Sequence, residues 1–448
     1  MTTASPHTIP RRTFLALARG RGGADAVAVL RAGQLSKRRL LLSAVRRAAE
    51  ARRPDEAREV RLAETYEEFE RIRQRSREQW ESVLLQPYLD LWAADCLRRL
   101  HADEAPARDQ APARDEAPAR DQAPARDQAP ARDQAPARDE ARARDEHHAP
   151  DQAPAPDETP SPAQTPAPDE APAPAQTPAP DEAPAPDQDP SPDEAPAPDQ
   201  DPSPAQPPAP DPDRSRDTDR DRLRGLAGFL RPTGHVVRLE AAGHRLVLRI
   251  DDRGPYRHAH GEPVPGPLGE DELRAWRELL AEAWRLLAER HPWYAEAVGA
   301  GVSTLVPLRP PPDGTAVSSA VRRGYGAVGV SLPSGPQALA LALVHEFLHI
   351  QLGALLDLVP LHGPDSGARY HAPWRPDPRP AGALLQGTYA HLGVSDFWRR
   401  EPGGHAAEQY THWRGRTLQA ADTLLESGEL TEEGREFVTE LRRAVCDR

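Results

Sequence analysis

The stretch LVHEFLHIQLGALLDLVPL, residues 343–361, decides how the chain is read. His345 and His349 stand four residues apart, which on a helix puts both imidazoles on one face, one turn apart. That spacing lets two ring nitrogens reach one divalent ion at about 2.0–2.1 Å, with Glu346 close beside it. In a chain of this length an HExxH pattern arises by chance on the order of a few per cent of the time, so the flanks must decide. They are apolar nearly all round: Leu339, Leu341, Leu343, Val344, Leu348, Ile350, Leu352, Leu355 and Leu356. A helix of that composition is buried, and two histidines and a glutamate on it need polar partners or a metal. A pair of hydrogen-bonded core histidines is the weaker reading.

The motif by itself does not choose between hydrolysis and oxidation. In a zinc peptidase Glu346 is the general base. In a non-haem iron oxygenase two histidines and a third ligand hold one face of the metal, and open positions take a keto acid and dioxygen. The metzincin extension is absent, since Leu352 and Leu355 occupy the places of its Gly and third His. A third ligand must come from elsewhere, and Asp357, His362, Asp365, His371, His391 and Glu401 are the downstream candidates. His391 is preferred, because Leu384, Tyr389, Leu392, Val394 and Phe397 mark a packed helix facing the first. Between the two helices runs YHAPWRPDPRP, residues 370–380, stiffened by four prolines and suited to line a pocket. Arg375 or Arg379 could fork onto the carboxylate of a keto acid, and a structural pair with Asp365 or Asp377 is the equal alternative.

Working outward, the motif helix is expected over residues 337–358, framed by Pro333 and Pro336, with Ser334 as cap. Residues 302–306 and 325–332 read as short strands. Leu273, Trp276, Leu280, Trp284 and Leu287 mark an amphipathic helix ending near His291-Pro292. Residues 235–239 and 245–250 read as a hairpin around Ala241-Ala242-Gly243. Residues 11–101 read as helices, with Leu40, Leu41, Leu42 and Val45 on one face and Tyr66, Phe69 and Ile72 on another. The basic stretch 37–47 reads as a solvated helix face. The fold class is therefore α+β, mainly helical with a small sheet.

Between Leu100 and Leu223 there is not one Leu, Ile, Val, Phe, Trp, Tyr or Met, only repeats such as APARDQ and APAPDE. Such a segment cannot bury enough surface to offset its ordering entropy, so it is expected to be disordered. The organisation that follows is a disordered start at 1–10, an N-terminal helical part at 11–101, the low-complexity insertion at 102–220, and an α+β part with the motif at 221–448. The insertion carries much of the net charge of −13. No basic stripe with interleaved aromatics points to nucleic acid. Cys96 and Cys446, the two cysteines, form no disulfide framework. The apolar run after Arg11-Arg12 is too short for an export signal, and no stretch reaches the roughly 20 apolar residues of a membrane span. A cytoplasmic protein is expected.

Three stretches together carry a resemblance: the motif run at 343–361, the loop YHAPWRPDPRP, and LLQGTYAHLGVSDFW at 384–398. They closely resemble the actinobacterial HExxH-motif proteins of modified-peptide gene clusters, regarded as iron- and 2-oxoglutarate-dependent peptide β-hydroxylases. Ser318-Ser319, Tyr325-Gly326-Ala327 and Gln34-Leu35-Ser36-Lys37 are similar to that family as well. The likeness covers roughly residues 11–101 and 221–445, and the long insertion departs from it. The resemblance implies an oxygenase that uses Fe(II) and 2-oxoglutarate to hydroxylate a residue β-carbon in a ribosomally made precursor peptide, alongside other peptide-modifying enzymes. His345 and His349 would be iron ligands with Glu346 beside them. His391 as third ligand and Arg375 or Arg379 as 2-oxoglutarate clamp are inferences at matched positions. A zinc peptidase that trims a leader peptide, and a non-catalytic metal- or peptide-binding scaffold, are the alternatives.

Overall fold

Two residues of positive φ, Ala242 at 45° and Gly243 at 79°, turn the chain back on itself. They join β1 (His235–Ala241) to β2 (His244–Ile250) in an antiparallel hairpin with Ala241 opposite His244. A two-residue turn with both φ values positive matches the twist of the flanking strands. β2 pairs parallel with β3 (Thr304–Leu308), and β3 pairs parallel with β5 (Ala327–Ser331). The short edge strand β4 (Ser318–Ala320) pairs antiparallel with β5, giving a mixed five-stranded sheet in the order β1-β2-β3-β5-β4.

In this computed structural model the described residues are 7–51, 71–102 and 234–448, and they belong to one compact unit. The low-complexity insertion and the stretch holding Tyr66 and Phe69 lie outside the described residues. Helices α1 (Arg11–Ala18), α2 (Gly23–Glu50), α3 (Arg77–Leu84) and α4 (Leu89–Ala102) precede the sheet. Helices α5 (Glu270–Arg290) and α6 (Pro292–Gly301) lie between β2 and β3, and Pro292 starts α6 from its first position. After the sheet come α7 (Pro336–Leu356), α8 (Ala381–Trp398), α9 (Gly404–Glu426) and α10 (Glu432–Cys446). The architecture is α+β.

The motif helix α7 is at the centre, packed on α8, α5, α2, α6 and strands β4 and β5. Its cap is Gly335, with no side-chain hydrogen bond, so Ser334 does not cap it; Pro336 opens the helix instead. The expectation that no stretch is apolar enough for a membrane span needs correction: among the described residues α7 is long and apolar enough to cross one, and 94% of its apolar window is buried inside the protein. Gly393 lets α8 approach it closely, since a Cβ there would stand 2.3 Å from Leu348 Cδ1.

The reading of residues 37–47 as a solvated face needs correction. Arg38 is fully buried, donating to Asp90 at 2.7 Å and to the carbonyls of Leu84 and Pro87. Leu40 is 68% exposed, while Leu42 and Val45 enter the core. A basic residue found its partners 46 to 52 positions away, which charge patterning along one helix does not register.

Candidate metal centre

His345 and His349 face each other from successive turns of α7, with their Nε2 atoms 3.2 Å apart. Two nitrogens bound to one ion at about 2.1 Å in adjacent positions stand roughly 3.0–3.4 Å apart, so the pair fits a shared cation without rearrangement. His345 is fully buried and His349 is 7% exposed, so the approach from solvent is on the His349 side. Gln386 on α8 accepts from His349 Nδ1 at 3.3 Å. That contact puts the proton on Nδ1 and turns the Nε2 lone pair toward His345.

Glu346 points to the sheet. Its Oε1 accepts a 2.6 Å hydrogen bond from Ser318 on the edge strand β4, and the side chain is 1% exposed. Successive residues of a strand face opposite sides, so Ser319 serves the other face. There its hydroxyl donates to the His260 carbonyl at 2.8 Å. Burial pushes the His260 imidazole down to about 4, against the opposing contact with Ser319.

His391 comes from α8 and meets His345 edge to face, with ring centroids 5.2 Å apart. Its Nδ1 donates to the Gly387 carbonyl at 2.8 Å, so in the neutral ring Nε2 carries the lone pair. The ring stacks on Trp374 at 4.1 Å and 17°, and lies 4.9 Å from the Trp413 ring. Gly387 makes the stack possible, because a Cβ there would stand 2.4 Å from Trp374 Cζ2. Among the described residues no three His, Cys, Asp or Glu side chains converge closely enough to hold a metal ion. The structure therefore presents a two-histidine donor pair with a third imidazole in ring contact.

The other candidates for third ligand are committed elsewhere. Asp357 accepts from Gln34 at 2.8 Å, Lys37 at 2.9 Å and Arg322 at 2.5 Å. His362 donates Nδ1 to the Gly363 carbonyl, Asp365 pairs with Arg369, and His371 is exposed. Glu401 is held by Arg290, His291 and Gln337. Arg375 forks onto Asp377 with both contacts at 3.0 Å, and Arg379 reaches the same carboxylate at 3.1 Å. The structure places both arginines in the Arg–Asp pairing weighed as their alternative. A cosubstrate carboxylate would have to replace Asp377.

Ser318, Gln386, Trp374 and Trp413 complete the surroundings. Spacing offers no route to Gln386, whose partner is 37 residues away on another helix. Comparison with models of known protein families and with curated proteins returns no match.

Proposed function

We propose that this chain is a non-haem iron, 2-oxoglutarate-dependent oxygenase that hydroxylates a β-carbon in a precursor peptide, acting in the cytoplasm. The observation that carries the reading is the pair of Nε2 atoms 3.2 Å apart in a buried helix whose intervening Glu346 accepts a hydrogen bond from Ser318. A hydrolytic base must take a proton from the attacking water, and a carboxylate with Oε1 already bonded inside the core is poorly placed for that task. The resemblance of the motif helix, the Pro-rich loop and α8 to the HExxH-motif hydroxylases supports the same choice.

In this reading His345 and His349 would hold the iron, and His391, in ring contact with His345, would have to move closer to complete the set. The bound metal supplies the activation of dioxygen and 2-oxoglutarate, which no side chain can provide. The protein's own contribution is positional. Gln386 and Gly387 fix the tautomers of His349 and His391 through their Nδ1 atoms. Trp374 and Trp413 pack against His391 and exclude water from its ring. The half-buried Gln386, beside His349, marks the side from which a peptide would reach the centre.

The test is anaerobic loading of the purified protein with Fe(II), then addition of 2-oxoglutarate, air and a co-expressed ribosomal precursor peptide. The expected result is one added oxygen atom on the peptide by mass spectrometry, with matching succinate. Cleaved peptide with zinc would establish the peptidase in its place. Absence of product with either metal would establish a scaffold.

A further inference from the structure

Asp396, near the C-terminal end of α8, is a buried carboxylate ringed by arginines. Arg21, from the turn between α1 and α2, reaches it at 2.8 Å, Arg399 at 3.2 Å and Arg448 at 3.3 Å. A fourth guanidinium, that of Arg400, lies 3.7 Å from the centre of the Trp293 ring, over which Arg21 also stacks at 4.5 Å. Among the described residues Arg400 makes no ion pair. The carboxylates on flanking segments are committed: Glu401 to Arg290 and His291, Glu440 to Arg19 and Arg443, and Glu296 to the Ala24 amide.

Three guanidinium groups thus share one carboxylate, and that of Arg400 lies beside them outside any ion pair. An exposed arginine without a partner is ordinary when its side chain is free in water. Arg400 is different, because its guanidinium rests on the Trp293 indole while the residue stays exposed to solvent. Desolvation, and then repulsion from Arg399, Arg21 and Arg448, pulls its guanidinium below the ordinary arginine value against the opposing pull of Asp396. The wider charge agrees. The described residues hold 39 Lys and Arg against 33 Asp and Glu, although the whole chain has 57 against 70.

We propose that Arg21, Arg399, Arg400 and Arg448, gathered about Asp396 and the Trp293 ring, form a second binding site that takes an oxyanion, the carboxylate or phosphate group of a polyanionic ligand. Arg400 is its open fork. A planar guanidinium presents two parallel N–H donors to a carboxylate or phosphate, and the fork pre-set on an indole loses less freedom on binding. Several charges are needed on the ligand, because one exposed ion pair contributes little. The site does not depend on the metal or on the reaction at the histidines.

The test titrates the full chain by calorimetry at low ionic strength with inorganic phosphate and, separately, with hexaglutamate. Binding of one or both is expected, and which of them binds identifies the ligand's source. Arg400→Glu should weaken binding at least tenfold, with the melting temperature lowered by no more than the loss of the Trp293 stack, since no ion pair is broken. Arg400→Lys, which keeps the charge without the fork, should fall between. If Arg400→Glu does not fold, Arg400→Gln carries the same expectation. Absence of binding by both probes, or equal affinity in the folded Arg400 variant, would overturn the proposal.

Discussion

Ser318 reaches across from the sheet edge to hold Glu346, at 2.6 Å, one residue along α7 from His345. The two residues are 28 positions apart, and one is a hydroxyl on a three-residue strand. The contact separates the two jobs that an HExxH segment can do. It ties the glutamate to the fold and leaves the imidazole pair to whatever task the proposed metal would give it.

The first prediction concerns that hydroxyl. Ser318→Ala takes one hydrogen-bond donor away from a buried carboxyl group, which costs about 1–3 kcal/mol when a partner is removed from one side only. Glu346→Gln keeps an acceptor oxygen for Ser318 and should cost less. Urea midpoints of the two variants should therefore rank Ser318→Ala as the less stable. If the enzyme is an oxygenase, Glu346→Gln keeps measurable turnover, whereas a peptidase would lose nearly all of it.

The second concerns Gln386. A ligand imidazole whose other nitrogen loses its acceptor costs roughly 10–100-fold in metal affinity. Gln386→Leu is close in size and removes the acceptor from His349 Nδ1. Equilibrium dialysis against Fe(II) or Zn(II) should show that loss at unchanged melting temperature of the metal-free protein. Affinity equal to the parent would mean that His349 is not oriented through Gln386.

What the sequence discloses and what it conceals separate along a physical line. The α7 reading came from composition: a helix apolar on every side has nowhere to go but the core, so its buried histidines were visible in one dimension. The hairpin, α5 and α8 were legible for the same reason, through local periodicity. Strand β4 was not, because Ser318-Ser319-Ala320 has no alternation and is a strand only through its pairing with β5. Gln386, the Arg38 network and the Asp377 pairing with Arg375 and Arg379 are likewise contacts of choice among partners. Charge and spacing named the arginines but could not say which carboxylate would hold them. The placement of His391 shows the limit most plainly, since helical spacing put it on the right helix yet could not give its distance from His345.

The third prediction follows from the anchor that ties α2 to the end of the motif helix. Burial alone would raise the Asp357 carboxyl, but the donors Arg322, Gln34 and Lys37 outweigh it and hold the group down at about 2. A carboxyl depressed in the folded state adds stability above its unfolded value of about 4, and loses it as pH falls through 2. The contribution is roughly 2 kcal/mol. Asp357→Asn should thus be less stable than the parent at pH 7, and the gap should close between pH 4 and pH 2. A gap that stays constant over that window would show that Asp357 titrates normally.

The fourth concerns the turn that sets the register of the hairpin. Ala242 has φ of 45°, a left-handed conformation that costs an ordinary L-residue about 1 kcal/mol. Asn adopts that region more readily and is favoured at the first position of a turn with two positive φ values. Ala242→Asn should therefore raise stability by about 0.5–1 kcal/mol, on the order of 2 °C in melting temperature. Gly243 supplies the control. Its φ is 79°, and a Cβ there meets nothing within 4 Å, so Gly243→Ala introduces backbone strain without a clash. It should lower stability by about 1 kcal/mol. Opposite signs for these two substitutions, one residue apart at an exposed turn, would arise from backbone conformation alone. Equal signs would mean that the turn is not the two-residue form that places Ala241 opposite His244.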